Sequence, residues 1–194
     1  MATKIERLKK KKLREEHGEE AAPKGEVKTI ESMRVKDETI CDDPDDEELK
    51  GEQDIDEFAP YFNIETTPKI IMTTNRRPKG KLFDFLKEIK GALPNVEYYE
   101  RKNFLIKEVI EQAKKLGYTD LMLWYEKAGK PHTLILSHLP SGPTATFRVS
   151  GLKLRQEIVN HSAAPGTSNP ELIMNNFDTK LGNRIGRMLA ALFP

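Results

Sequence analysis

Four basic side chains fall within six consecutive positions, and no acid lies among them: Arg76, Arg77, Lys79 and Lys81. Guanidinium and ammonium groups clustered in this way neutralise phosphates, with an affinity that falls steeply as salt rises. Pro78 and Gly80 interrupt the run, which predicts a loop able to follow an irregular phosphate backbone. The run also follows a short apolar segment, residues 69–74, and ligands often bind at the carboxyl ends of such strands. Charge alone is equally typical of a solvated loop.

Nine more basic residues are candidates for contacts with the same anionic partner: Arg101, Lys102, Lys130, Arg148, Lys153, Arg155, Lys180, Arg184 and Arg187. The formal net charge of +1 hides an asymmetry along the chain. Residues 1–57 hold 12 Lys/Arg and 19 Asp/Glu, a net charge of −7, whereas residues 58–194 hold 20 and 12, a net charge of +8. The basic second part therefore indicates an anionic partner.

Ser137 and His138 are the residue types of a catalytic nucleophile and its base. Neighbouring strand residues point to opposite faces, so these two side chains cannot readily share the required hydrogen bond. No Gly-x-Ser-x-Gly elbow surrounds the serine, and no convergent set of carboxylates indicates a nuclease. We therefore expect structural roles for both residues and no enzymatic activity.

Metal and nucleotide sites find no support in the sequence. Within the acidic run at 37–57, Asp42, Asp45 and Glu47 lack the glycine and the ligand spacing of a calcium loop. The histidines lack zinc-like spacing, and Cys41 is the only cysteine. Gly129-Lys130 is not followed by Ser or Thr, which excludes a nucleotide P-loop. No metal and no other cofactor is expected.

The elements that must position the basic residues alternate along the chain. Strands are predicted over residues 69–74, 96–101, 121–125, 133–139 and 144–149. Crossover helices are predicted over 82–93 and from Asn103, as its cap, to Gly117. The strand–helix–strand–helix–strand order implies parallel strands with right-handed crossovers, and the hairpin around Ser141 adds an antiparallel part. The predicted fold class is α/β, with a mixed sheet.

Two further helices are predicted near the end of the chain. Residues 170–175 have the pattern of a short helix capped by Asn169, and Asp178 or Thr179 is expected to cap the last helix. The apolar stripe of that last helix is predicted from five residues at helical spacing: Leu181, Ile185, Met188, Leu189 and Leu192. Among the aromatic pairs, one of Trp124 and Tyr125 should be in the core, and one of Tyr98 and Tyr99 should face outward.

Residues 136–145 (LSHLPSGPTA), followed by Phe147 and residues 152–155 (LKLR), resemble the central block of the Brix domain family of nucleolar ribosome-assembly proteins. Four more blocks agree in order: IMTTNRRP at 71–78, LPN at 93–95, YTDL at 118–121 and NFDTKLG at 176–182. The resemblance covers residues 68–194. Brix domains look like two related halves and this sequence ends after the first, so a truncated product or a part of a longer protein is expected.

The resemblance implies a non-enzymatic ribosome biogenesis factor of the nucleus and nucleolus. It implies that the basic residues named above bind precursor ribosomal RNA during large-subunit assembly and rRNA processing. Large-subunit assembly factors with a dedicated protein partner, and ribosomal proteins, are the implied partners, so an exposed apolar patch is expected. Segments 56–63 and 185–194 favour this branch over the small-subunit relative associated with the U3 small nucleolar ribonucleoprotein. A pure protein–protein scaffold is the remaining alternative.

The resemblance and the charge pattern together predict two parts. Residues 1–57 are expected to be a charged, largely disordered or extended tail, and residues 58–194 the N-terminal half of a Brix-type α/β domain. Residues 4–14 are basic and rich in helix formers, which fits a helix formed on RNA, a nuclear address or a solvated segment. No apolar run approaches the roughly 20 residues of a membrane span, so a membrane is not expected among the partners.

Overall fold

The structure is a computed structural model, and it describes residues 11–12, 28–30, 32–33, 35, 39–40, 47–161 and 170–194. The chain divides into two units, Met1–Glu38 and Thr39–Pro194. In the first unit, Thr29 and Ser32 exchange hydrogen bonds of 2.9 and 3.1 Å in an exposed turn. Apart from Lys11 and Lys12, which are helical, the basic segment 4–14 lies outside the described residues, as does the predicted cap Asn169.

The second unit contains every named strand and helix. The strands are β1 (Ile70–Thr74), β2 (Val96–Tyr98), β3 (Asp120–Lys127), β4 (Lys130–His138) and β5 (Thr144–Arg148). The helices are α1 (Glu47–Ile55), α2 (Ala59–Phe62), α3 (Leu82–Ala92), α4 (Ile106–Lys115) and α5 (Lys180–Ala190), with a 3₁₀ turn at Arg155–Glu157.

The five strands form one mixed sheet in the order β2-β1-β3-β4-β5. β1 pairs in parallel with β2 and β3, while β3 with β4 and β4 with β5 are antiparallel. Helix α3 connects β1 to β2, and α4 returns from β2 to β3. Because these two crossovers run in opposite directions along the sheet, right-handed connections place their helices on opposite faces. The predicted α/β fold with a mixed sheet and crossover helices is confirmed.

Alternate residues of β1 face two separate cores. Ile70 and Met72 belong to the larger core, which also contains Phe58, Phe85, Trp124, Leu136 and Met188. Ile71 belongs to a smaller core with Ala113 of α4 and Leu121 of β3. All five residues of β1 are buried, as its nearly continuous apolar run predicts for an interior strand. Trp124 is the buried member of the predicted Trp-Tyr pair.

The start of α4 differs from the prediction. Leu105, and not Asn103, is the cap residue, and its amide donates a 2.7 Å hydrogen bond to the carboxylate of Glu108. The carboxylate that reaches back to this amide fixes the first turn two residues later than predicted. Phe104 therefore lies outside the helix, and 58% of it is exposed. Gly117, with φ +73°, ends the helical region as predicted.

The last helix begins as predicted, because the hydroxyl of Thr179 accepts a 2.9 Å hydrogen bond from the amide of Gly182. The short helix predicted over 170–175 is absent, since residues 170–178 form no helix. Asn176 instead adopts φ +63°, and the non-helical chain brings Phe177 against α5. Leu181 is also wrong as a member of the apolar stripe, because it is 71% exposed, whereas Met188 and Leu192 are buried.

The acidic segment before residue 58 is not wholly extended. Residues 47–55 form helix α1, and Gln53 donates a 3.1 Å hydrogen bond to the side chain of Asn183 in α5. Phe58, which follows the segment, is fully buried in the larger core. The end of the acidic segment is therefore held against α5, although its composition alone predicts a solvated chain. The division of the chain at residue 57 stays a prediction.

Candidate nucleic-acid interface

The sheet topology gathers basic residues at one edge. The carboxyl ends of the parallel strands β1 and β3 lie at this edge, together with the β3–β4 turn and the end of β5. We call the following seven residues the basic edge: Arg76, Arg77, Lys79, Lys81, Lys127, Lys130 and Arg148. Six of them were predicted from sequence, and the structure brings them to one side of the sheet.

Close backbone contacts join the β1–α3 loop to the β3–β4 turn. The amide of Lys79 donates a 2.6 Å hydrogen bond to the Glu126 carboxylate. Gly80 packs so near Gly129 that a Cβ added to Gly80 would lie 3.1 Å from the Gly129 carbonyl oxygen. Gly80 also has φ +64°, which L side chains rarely adopt. The loop therefore places its cations beside Lys130.

One cation of the basic edge has an intramolecular partner. Lys81 Nζ lies 2.5 Å from Glu157 Oε1, and the Lys81 ammonium lowers the pKa of Glu157, helped by the amide of Leu154. The side chains of Arg76, Arg77, Lys79, Lys127, Lys130 and Arg148 are exposed and make no ion pair within the part of the chain that the structure describes. Six cations are therefore available to an external anion.

The remaining predicted residues near this edge have different surroundings. Arg101 follows β2, and its Nε donates a 3.0 Å hydrogen bond to the Phe104 carbonyl, while Lys102 is exposed. Lys153 is exposed beyond β5. Arg155 is half-buried, and its Nε and Nη1 atoms are buried without a hydrogen-bond partner among the described residues.

The predicted cations of α5 are not part of the basic edge. Arg187 donates to both carboxylate oxygens of Asp56, at 2.7 and 2.8 Å, and its guanidinium carbon lies 4.3 Å from the Phe62 ring centre. Arg184 pairs with Glu57 at 2.5 Å, and Lys180 is exposed. The structure thus separates these three residues from the other candidates.

Residues 53–62, which bind Arg187, lead to the start of β3, the end of the strand opposite the basic edge. Phe58 packs on the ring of His138 with ring centres 5.2 Å apart, and Tyr61 meets the same ring edge-on. His138 pairs in register with Asp120, the first residue of β3, while Lys127 is the last. Burial, with the nearby charge of Asp120, raises the pKa of Tyr61.

Ser137 and His138 do not contact each other as a nucleophile and base. The Ser137 hydroxyl lies 2.7 Å from the hydroxyl of Thr144 on β5, and His138 Nδ1 lies 2.9 Å from the buried Asp120 carboxylate. The two side chains point to opposite faces, as the strand alternation predicts. The turn that follows has cis peptide bonds before Pro140 and Pro143.

Two residues of functional interest were missed from the sequence. Lys127 ends β3 directly opposite Lys130, and the short Lys-Ala-Gly-Lys sequence at 127–130 was a signal that the two lysines lie together. Phe104 falls inside the helix predicted from Asn103 to Gly117, although it precedes α4 and is largely exposed. Its position directly before the Leu105–Glu108 capping pair was the signal that Phe104 lies outside the helix.

The described ranges contain neither a metal-binding cluster nor a membrane-spanning helix. No cluster of three or more His, Cys, Asp or Glu residues there could hold a metal ion. No helix within those ranges combines the length and apolar character that crossing a membrane requires.

A family model described as the Brix domain matches residues 75–194. The chain is 46% identical over 177 residues to ribosome production factor 1 of Xenopus laevis, covering 91% of this chain and 51% of that protein. It is 37% identical over 189 residues to probable ribosome production factor 1 of Drosophila melanogaster, covering 95% and 48%. The chain thus spans about half the length of these curated relatives.

Among solved structures, the chain is similar to a probable ribosomal biogenesis protein from Aeropyrum pernix K1. That match has a TM-score of 0.41 and 22% sequence identity, and it covers 46% of this chain and 52% of the other.

Proposed function

This chain belongs to the Brix domain family, and from that membership we propose that it is a ribosome biogenesis factor that binds precursor ribosomal RNA. We place this role in large-subunit assembly and rRNA processing, within the nucleus and nucleolus, with large-subunit assembly factors, a dedicated protein partner and ribosomal proteins as partners. The names of its relatives support ribosome production as the process.

The observation that carries the RNA-binding proposal is the basic edge. Six exposed cations that form no ion pair within the described part of the chain lie on neighbouring loops and strand ends. Such a surface binds phosphates, whose charge repeats along every RNA strand regardless of sequence. The glycine contact between Gly80 and Gly129 fixes the two loops together, so their cations present one surface.

The proposed role is non-enzymatic. The two residues that resemble a nucleophile and base, Ser137 and His138, each contact a different partner. His138 is buried beneath Phe58 and Tyr61, which leaves its ring remote from solvent. The RNA is therefore proposed to be held by the chain and cleaved by other proteins.

The proposal is tested by crosslinking the tagged chain to RNA in cells and sequencing the bound RNA. A parallel sample carries Arg76→Ala, Arg77→Ala and Lys79→Ala, and a matched control carries Lys90→Ala, Lys114→Ala and Lys115→Ala, which removes the same charge at other exposed positions. We expect discrete sites in large-subunit precursors that weaken in the first variant and persist in the control. Sites in small-subunit precursors would instead support the U3-associated branch of the family.

A binding measurement in vitro tests the same surface quantitatively. For single-stranded RNA, each phosphate contact contributes about 0.7 to the slope of log affinity against log salt concentration. Loss of three contacts in the Arg76, Arg77 and Lys79 variant should therefore lower the slope by about 2. No salt-dependent RNA binding by the unmodified chain would contradict the proposal and favour a protein–protein scaffold.

A further inference from the structure

An apolar groove opens beside the basic edge, between the ends of β1 and β2 and the helix α4. Its volume is about 210 Å³. Three large side chains that line it remain substantially exposed, namely Tyr99 (49%), Phe104 (58%) and Leu116 (60%). Ile71 and Ala113, both buried, also line the groove. Exposed rings above a closed apolar floor are suited to a flat, largely apolar ligand.

Tyr99 is held in place before any ligand binds. Its hydroxyl donates a 2.9 Å hydrogen bond to a carboxylate oxygen of Glu97, and the hydroxyl of Tyr118 donates a 2.6 Å hydrogen bond to the same oxygen. The rings of Tyr99 and Tyr118 also meet edge-on, with centres 6.4 Å apart. A ring fixed in this way loses little conformational freedom when a second ring stacks on it.

Positive charge lies at the rim of the groove. Arg101 lines it, and the hydrogen bond from its Nε to the Phe104 carbonyl holds the guanidinium at the backbone of that residue. Lys102 is the next residue and is exposed. Thr73 also lines the groove and precedes Arg76 by three positions, so the groove adjoins the basic edge. Phosphates on this rim would leave an attached base within reach of the rings.

The groove also carries groups that can bond the edge of a base. Gln112 and Glu100 line it, and an amide and a carboxylate can together accept and donate hydrogen bonds. Glu108, which also lines the groove, already accepts from the Leu105 amide at the start of α4. The apolar floor, the rings and these few polar groups match the way proteins bind unpaired bases.

We propose that this groove binds one unpaired nucleobase of a single-stranded RNA segment, stacked on Phe104 and Tyr99, with the flanking phosphates on Arg101 and Lys102. The inference rests on the proposed function, because the same RNA would contact the basic edge. The two cations at the rim, Arg101 and Lys102, favour this occupant over an apolar protein segment, because a nucleotide carries a phosphate beside its base.

The test measures affinity and salt dependence of the 194-residue chain for three probes. These are a single-stranded RNA oligonucleotide containing 2-aminopurine, the same strand with one abasic position, and a duplex of the same sequence. The variants are Phe104→Ala, Phe104→Leu and Tyr99→Leu, and the control is Leu181→Ala, which removes an exposed apolar side chain on α5. Circular dichroism verifies that each variant folds.

We expect the groove to quench 2-aminopurine fluorescence and to favour the single strand over the duplex. Each groove variant should weaken single-strand binding by about fivefold or more, because stacking on an aromatic ring is lost. The salt slope should stay unchanged, since no phosphate contact is removed. The control should bind like the unmodified chain.

Two results would overturn the inference while leaving the proposed function intact. The first is salt-dependent RNA binding that none of the groove variants changes. The second is full binding by Phe104→Leu with loss in Phe104→Ala, because that pattern requires apolar bulk and not a ring. Absence of salt-dependent binding in the unmodified chain would overturn both the inference and the proposed function.

Discussion

Arg187 carries the same charge as Arg76 but has different neighbours. Arg76 is exposed at the end of β1, whereas the Arg187 side chain is 15% exposed and lies between Asp56 and the ring of Phe62. A third hydrogen bond, 2.8 Å long, joins Arg187 to the carbonyl of Gln53. The sequence predicted both arginines as RNA contacts. Their burial differs, which indicates a structural role for Arg187 and leaves Arg76 accessible to an anion.

Replacing Arg187 with alanine should destabilise the fold without directly removing an RNA contact. The change leaves the Asp56 carboxylate without its charged partner in a largely buried site, which costs about 3 kcal/mol of unfolding free energy. Urea unfolding measures the loss. Lys180→Ala, on the same helix but exposed, is the control and should stay within about 0.5 kcal/mol of the unmodified chain.

The opposite pattern would assign Arg187 to the interface. If Arg187→Ala unfolds at the same urea concentration as the unmodified chain yet binds RNA more weakly, the ion pair with Asp56 contributes little to stability. Arg187 would then have to release Asp56 when RNA binds.

Glu97 makes the stability of the sheet depend on pH. Hydrogen bonds from the hydroxyls of Tyr118 and Tyr99, with a smaller contribution from Lys69, lower the pKa of Glu97 from its usual value of 4.5. A carboxylate whose pKa is lower in the folded chain stabilises the fold above its unfolded pKa, and this stabilisation is lost as pH falls through the folded pKa. Acid should therefore weaken the anchoring of Tyr99.

The comparison with Glu97→Gln tests this dependence. At pH 7 the unmodified chain should be the more stable of the two in urea unfolding, and the difference should shrink below pH 4.5 as the carboxylate is protonated. A difference that stays constant from pH 7 to acid would show that the glutamate's charge plays no part.

At the scale of elements, the packing of the non-helical segment 170–178 on α5 depends on a glycine. A Cβ added to Gly186 would lie 3.3 and 3.4 Å from two ring atoms of Phe177. This contact is closer than ordinary packing, so either the ring or the helix must move to admit a methyl group. Gly186 is buried, which leaves little room for such a movement.

Two glycine-to-alanine changes should therefore have opposite effects. Gly91→Ala in α3 meets no atom within 4 Å and should stabilise the chain by about 0.5 kcal/mol, because alanine favours the helix. Gly186→Ala gains the same preference but crowds Phe177, and we expect a net loss of about 1 kcal/mol. Thermal unfolding compares the two. Equal stabilisation by both changes would mean that Phe177 is not packed on α5.

Local pattern predicted the sheet well and the helix ends less well. Apolar runs and turn residues located all five strands and both crossover helices, since these signals are contained in a few adjacent residues. The start of α4 and the segment 170–178 depend on contacts of single side chains that apolar periodicity does not show. Glu108 reaches back three residues to the Leu105 amide, and Phe177 packs on Gly186 nine residues later. Each contact is set by the position of one particular side chain and not by a repeating pattern.

At the scale of the whole molecule, the sequence supplied the cations of the interface but not their arrangement. Arg76 and Arg148 are 72 positions apart, and they reach one edge only because β1, β3, β4 and β5 are neighbours in that order. The same topology sends Arg187 to the other end of the strands. Composition predicted a basic surface, and strand order decides which residues form it.

The segment 39–57 links the charge of the chain to its stability. It holds ten acids against Lys50 alone, a net charge of −9. Its described residues also contact α5 and the cap of that helix. Ile40 bridges to Thr179, Gln53 bonds Asn183, Asp56 pairs with Arg187, and Glu57 pairs with Arg184. An acidic stretch anchored in this way both stabilises the fold and reduces its attraction for RNA.

Chains that begin at residue 39 and at residue 58 separate these two effects. The shorter chain should lose about 2 kcal/mol of unfolding free energy, less than the full cost of a broken buried pair because water then reaches Arg187. It should also bind RNA more tightly at low salt, since nine negative charges are gone, and the gain should disappear as salt screens them. The chain from residue 39 should match the 194-residue chain in stability, because it keeps the contacts of Ile40, Gln53 and Asp56 described above. Equal urea midpoints for the two shortened chains would mean that the contacts with α5 do not stabilise the fold, and the acidic segment would then act on RNA binding through its charge alone.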